Sequence, residues 1–243
     1  MTILNNKTQQ SSGRQGVTSR KRTRKNDPER VRADIMRVAT REFSEKGLSG
    51  ARIDEIAEKT QTSKRMIYYY FQDKETLYLR ALEQSYQAVR HKEGELDLDH
   101  LPPVDALARL VAFTFGHHIS HPDFIRMVMI ENIHHGRYLG QSEFIQSLNA
   151  GAIEELERIY RRGVTSGDFR DDLDPLELHW LISALSFFNV SNQYTFSHIF
   201  NWDQAAPDNQ KILQGHVIDM VMRYVLSREA MLRHLDGQPD PQA

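Results

Sequence analysis

From Asp27 to about residue 227 the apolar side chains recur at three- and four-residue intervals, and the interruptions are turn-forming Gly, Pro and Asp-Pro, with no convincing period-two alternation. A chain patterned this way buries one stripe per segment against its neighbours. The expected fold is therefore all-α: an N-terminal three-helix unit followed by a larger C-terminal helical domain.

The first helix is expected to open at Asp27-Pro28, with Asp27 as cap and Pro28 in the first turn. Its stripe is Val31, Ile35, Val38, Ala39 and Phe43, and Gly47 stops it. A second helix of about two turns buries Ile53, Ile56 and Ala57 before the polar turn Thr60-Gln61-Thr62-Ser63. Ser63 caps a third short helix in which Ile67 and Phe71, four apart, anchor one face. Lys64, Arg65, Met66, Tyr68 and Tyr69 then occupy the opposite face, while Tyr70 packs partly into the small core. Asp73 caps a fourth helix carrying Leu77, Leu82, Ser85/Tyr86 and Val89, which runs out at Lys92-Glu93-Gly94. Further helices are expected over about 104 to 119, 122 to 134, 140 to 164, 175 to 200 and 207 to 227.

The boundaries that follow are a flexible basic arm over 1–26, a helix-turn-helix unit over 27–73, a connecting helix over 74–93, a larger helical domain over 94–227, and a fraying tail over 228–243. Charge divides along the same line. Residues 1–93 hold 20 Lys and Arg against 12 Asp and Glu, a net +8, and the remaining 150 residues hold 11 against 21, a net −10. The basic part suits a polyanion that the acidic part repels.

Two short helices joined by a tight turn place the second where it enters the DNA major groove while the first braces it across the backbone. Lys64 and Arg65 stand at the amino end of that second helix, where side chains and free amides favour phosphate or guanine acceptors. Tyr68 and Tyr69 add phenolic donors for phosphate, and Lys74 is expected to meet the flanking backbone. The arm cluster Arg20, Lys21, Arg22, Arg24 and Lys25 either enters a minor groove or only adds charge.

The run ARIDEIAEKTQTSKRMIYYYFQDKETL, residues 51 to 77, resembles the DNA-binding signature of the TetR (tetracycline repressor) family. The matching features are Ile56-Ala57, a turn ending in Ser63, Ile67-Tyr68-Tyr69-Tyr70-Phe71 and Lys74-Glu75-Thr76-Leu77. Thr60-Gln61-Thr62 replaces the family's usual Ala-Gly-Val, so Gln61 has to take a left-handed conformation that glycine adopts more easily. Arg52 stands where a Thr often opens helix two, losing a cap and gaining a cation, and Arg65-Met66 replaces the common Gly-Thr, so operator sequence does not carry over from relatives. The resemblance implies a double-stranded DNA operator with inverted repeats, a homodimer, repression relieved by a small organic effector, ligand binding and dimerisation by the domain over 94–227, and DNA contacts from Arg52, Ser63, Lys64, Arg65, Met66, Tyr68, Tyr69 and Lys74. Residues 178–190 and 217–226, apolar around much of their circumference, stand where the family builds its dimer interface.

The C-terminal domain needs an input, and its aromatic and polar side chains suit an organic ligand. Phe113, His117, Met127, Asn132, Phe188 and Tyr194 are the expected ligand contacts. His117 and His121, four apart, with His134-His135 beyond, raise metal sensing as a competitor. Against it, Pro122 ends the helix carrying the first pair and no carboxylate stands at ligand spacing, so no metal and no cofactor is expected. An activator of the same fold and a non-specific nucleoid protein also compete with the repressor. An enzyme is not expected: there is no cysteine, and no nucleophile–base pair, phosphate loop or metal box is recognisable. With no secretory signal and no apolar run long enough to span a bilayer, a cytoplasmic location is expected.

Overall fold

The computed structural model describes residues 27–235; the basic arm and the last eight residues lie outside them. Eleven α-helices are present among the described residues: α1 (Pro28–Gly50), α2 (Ile53–Lys59), α3 (Lys64–Phe71), α4 (Lys74–Gly94), α5 (Pro103–Ser120), α6 (Pro122–Ile133), α7 (Glu143–Thr165), α8 (Pro175–Ser191), α9 (Gln193–Phe200), α10 (Pro207–Val225) and α11 (Arg228–Leu235). A 3₁₀ turn, Leu139–Gln141, precedes α7.

The caps are where short polar residues stand before the helices. Asp27, Ser63, Asp73, Ser142 and Asp174 each accept a hydrogen bond from a backbone amide in the first turn that follows. Arg52 precedes α2 without a side-chain cap, as its chemistry requires. Gly47 has φ of 67°, so α1 bends out of helical geometry there, at the residue expected to stop it.

Three boundaries differ from expectation. The segment 175–200 is two helices, because the backbone at Asn192 leaves helical geometry (φ −105°, ψ 4°) and its amide closes back onto Phe188 O at 3.1 Å. α7 begins at Glu143, where Ser142 supplies the cap. Part of the expected tail is ordered as α11: Ser227 Oγ accepts from Ala230 N, Ala230 is buried, and Arg233 pairs with Asp168 at 3.0 Å. Tail residues beyond 235 lie outside the described part.

Two apolar cores form. The first gathers Ile35, Phe43, Ile56, Ile67, Phe71 and Leu77 from α1–α4, and it also takes in Met127 from α6 and Ile145 from α7. The second joins α5, α7, α8 and α10 through Leu107, Val111, Phe115, Ile159, Ile182 and Val221. At the end of α7, the ring of Phe169 lies where a side chain on Gly163 would stand, 2.0 Å from an added Cβ, so only glycine fits.

A buried polar seam crosses between the N-terminal unit and the rest. Glu131 on α6, 2% exposed, accepts from Tyr78 Oη of α4 at 2.9 Å and from the amides of Tyr138 and Leu139 at 3.1 and 2.9 Å. Ser142 Oγ donates to Glu83 of α4 at 2.8 Å, and Ser44 Oγ of α1 donates to Asp123 of α6 at 3.0 Å. Burial and the Glu131 carboxylate both push the Tyr78 phenol up, so it stays protonated and donates.

Candidate DNA interface and sensing cavity

Ile67 and Phe71 are buried at 1% and 2% exposure, and that anchoring turns the opposite side of α3 outward. Tyr69 is 77% exposed and Tyr68 45%, and Ser63, Lys64, Arg65 and Met66 are exposed beside them. Tyr70 is half-buried against the core. In the turn before α3, Gln61 has φ of 50°, the left-handed conformation expected of it.

The cations are not equivalent. Asp54 of α2 pairs with Lys64 and lies 3.7 Å from Arg52, so α2 holds a carboxylate between two of the cations assigned to DNA. Lys74 is half-buried and donates to Ala51 O at 3.0 Å, tying the start of α4 to the α1–α2 junction. Its ammonium keeps further donors, so a phosphate contact is compatible with that bond. Behind the surface, buried Glu42 of α1 accepts from Lys46 at 2.8 Å and from Lys59 of α2. Burial alone raises that carboxyl, but the two lysines outweigh it and hold it below the usual carboxylate range.

In the C-terminal domain a cavity of about 710 Å³ opens between α4, α5, α6, α7 and α8. Three expected ligand residues, Phe113, His117 and Asn132, line it. Three do not. Met127 is fully buried in the first core, on the side of α6 away from Val128 and Asn132, which face the cavity. Phe188 points outward from α8 and meets Phe196 edge-on at 6.2 Å, while its neighbour Phe187 lines the cavity. Tyr194 is 62% exposed on α9, its hydroxyl 3.4 Å from Arg126.

Sequence reasoning missed Tyr86, Arg90 and Glu93, which α4 contributes to the cavity, together with Phe124 and Trp180. The available signal was spacing: Tyr86, Arg90 and Glu93 share one face of α4. His117, His118 and His179 also line the cavity, and burial, their largest influence, pulls each down to about 4. They are neutral hydrogen-bonding rings at neutral pH. His117 stacks on His121 with ring centroids 4.0 Å apart, whereas His134 and His135 are exposed beyond α6. Among the described residues no group of three or more His, Asp or Glu is arranged to hold a metal ion.

Residues 35–81 match the family model described as bacterial regulatory proteins, tetR family, and residues 103–221 match the tetracyclin repressor-like C-terminal domain. The chain is 33% identical over 195 residues to the HTH-type transcriptional repressor NicS of Pseudomonas putida, covering 80% of this chain and 92% of that one. The chain belongs to the TetR family. It is a transcriptional regulator and not an enzyme. A second relative, the HTH-type transcriptional repressor SCO4008 of Streptomyces coelicolor, is 32% identical across 78% of this chain and 86% of its own length. The fold is shared with a Saccharomonospora viridis regulator solved with choline (TM-score 0.61, 20% identity, 82% of this chain and 100% of that one). It is shared too with FadR of Bacillus subtilis solved with stearoyl-CoA (TM-score 0.60, 18% identity, 79% and 97%). Within this TetR regulator no described helix is long and apolar enough to cross a membrane.

Proposed function

We propose that this regulator is a repressor that binds an inverted-repeat operator as a homodimer and leaves it when a small organic molecule fills the cavity. The observation that carries the reading is α4, one continuous helix with both ends engaged. Its first half is buried in the reader's core through Leu77, Tyr78 and Leu82, and its second half lines the cavity through Tyr86, Val89 and Arg90. A ligand that prefers one placement of α4 thereby biases the placement of α3, by its differential affinity for the two states.

Two apolar faces support the homodimer. Trp180 on α8 and Ile212, Met220 and Tyr224 on α10 are exposed at 66%, 54%, 48% and 39%, more large apolar surface than two amphipathic helices leave to water. Pairing these faces between two copies gives a twofold assembly, the symmetry an inverted repeat reads at a half-site spacing of roughly 34 Å. The names of the two curated relatives, both repressors, favour repression. The choline and stearoyl-CoA complexes place small molecules within the same fold.

On α3, Lys64, Arg65, Met66, Tyr68 and Tyr69 face the groove, with Ser63, Arg52 and Lys74 at the flanking phosphates. The test is a salt-dependent gel shift on the DNA upstream of the regulator's own gene against random duplex. Preference for the former is expected, and equal affinity for both overturns the reading in favour of non-specific binding. Tyr68→Ala is expected to weaken operator binding about tenfold with little change in melting. Unchanged affinity removes α3 from the groove.

A further inference from the structure

Arg90 and Glu93 are the only formally charged residues lining the main cavity among the described residues. Nη1 of Arg90 donates to Glu93 Oε2 at 2.5 Å. The rest of the guanidinium is unused: Nε is buried with no hydrogen-bond partner, and Nη2 makes no hydrogen bond. Of the two, Nε is shut off from water, whereas Nη2 is not among the buried unpartnered atoms and still reaches open space. Nε and Nη2 present two parallel N–H groups, the fork that matches the two oxygens of a carboxylate. A single carbonyl fills half of it.

Rings form one part of the cavity wall, and aliphatic and amide groups such as Val128, Ile153, Gln146 and Asn149 form the rest. Tyr86, one turn before Arg90 on α4, meets Phe124 edge-on at 5.1 Å, and Phe124 lies 6.2 Å from both His117 and His118. Phe113 stands 5.6 Å from His117. Those rings offer faces and edges to a flat ligand. A cationic ligand is disfavoured, because Glu93 already holds Arg90 and burial pushes its carboxyl up against ionisation.

We propose that the cavity takes a flat aromatic monoacid, with the carboxylate on the Nε–Nη2 edge of Arg90 and the ring system among Tyr86, Phe113, His117 and Phe124; this rests on the sensing role proposed above. Glu93 keeps its place on Nη1, so two carboxylates share one guanidinium from different edges. The neutral histidines supply ring nitrogens to polar substituents on the ligand and carry no charge that competes with Arg90. Because Arg90 is on α4, the acid group binds directly to the helix that reaches the DNA reader.

The test titrates the full-length protein calorimetrically with benzoate and naphthoate, with their amides, and with octanoate, and runs the same samples on operator DNA. The acids are expected to bind at least about tenfold tighter than the amides and than octanoate, and to release operator. Arg90→Met is expected to lose about tenfold or more for the acids while binding the amides as before, and Glu93→Gln to tighten the acids by removing the second carboxylate. Equal binding of acid and amide, acid binding unaffected by Arg90→Met, or no binding of any acid overturns the proposal. Octanoate equal to naphthoate overturns its aromatic part. A protein that shifts operator but ignores the acids sinks this inference alone, whereas one that binds the acids but not operator sinks the DNA-binding reading and leaves this one standing.

Discussion

The DNA reader and the sensing cavity are built from the same kind of helix, yet they treat their buried polar atoms in opposite ways. In the reader every buried polar side chain has partners. Glu42 holds two lysines, Ser44 donates to Arg41 O and Asp123, and Glu83 accepts from Arg80 and Ser142. Among the described residues the unpartnered buried side-chain atoms all lie later in the chain: Arg90 Nε, both ring nitrogens of His117, His118 Nδ1, Ser186 Oγ and Gln204 Oε1. Of these, Arg90, His117 and His118 line the cavity. A satisfied network fixes one geometry; an unsatisfied one stores a preference for a partner from outside. The reader is thus specified by its own residues and the receptor partly by what it binds.

The largest test of that contrast is the seam joining the halves. Glu131→Ala leaves three donors without an acceptor, the buried Tyr78 hydroxyl and the half-buried amides of Tyr138 and Leu139. A loss of about 3 to 5 kcal/mol is expected in urea denaturation, with the two halves tending to unfold separately. A loss below about 1 kcal/mol would show that the halves hold together by apolar packing alone. Inside the reader, Glu42→Ala is expected to cost less, about 1 to 2 kcal/mol, because Lys46 and Lys59 are partly exposed and recover water.

The receptor should respond with the opposite sign. Replacing His117 by Phe removes two unpaired nitrogens and keeps a ring of similar shape, so stability near neutral pH is expected to stay level or rise by up to about 1 kcal/mol. Acid adds an independent reading. His117, His118 and His179 are drawn from 6.5 down to about 4 in the fold, so the unfolded chain binds their protons first. Their contribution is therefore fully present above about pH 6.5 and is lost as pH falls towards 4. The melting temperature should drop between pH 7 and 5, before most carboxylates titrate, and His117→Phe should flatten that drop. Identical pH profiles for the two proteins would place His117 in a wetter site than its 6% exposure implies.

How much of this was legible in the sequence follows from the same contrast. α1 to α4 each bury one stripe, so spacing alone located their inner faces, and the outer face of α3 followed by subtraction. α6 and α8 carry apolar residues on several sides, so spacing could not say which side met the cavity. Met127 went to a core while Val128 lines the cavity, and Phe188 faces outward while Phe187 lines it. Arg90 was hidden differently: near the end of a helix read as a connector, a cation looks like a solvated residue until α5 and α7 are folded against it. The break at Asn192 was invisible for want of Gly or Pro, since two apolar runs met without a breaker.

The smallest expected effect sharpens the comparison from the reader's side, at one of the two non-glycine residues whose positive φ strains the reader's backbone, Gln72 being the other. Gln61 holds φ of 50° in the turn between α2 and α3, with its amide bonded to Glu58 O at 3.1 Å. A side chain in that region costs roughly 1 kcal/mol, and glycine removes the clash but brings more freedom to the unfolded chain, so Gln61→Gly should gain only about 0.5 kcal/mol. Gln61 belongs to neither core and its side chain is exposed, so no packing change masks the backbone term. Urea titration of the two proteins measures it. The operator affinity of the same pair then reports whether the strain is only a cost: a more stable variant that binds operator as before has lost nothing but the clash. One that binds more weakly shows that the stiff side-chain-bearing turn helps to hold α3 at its working angle.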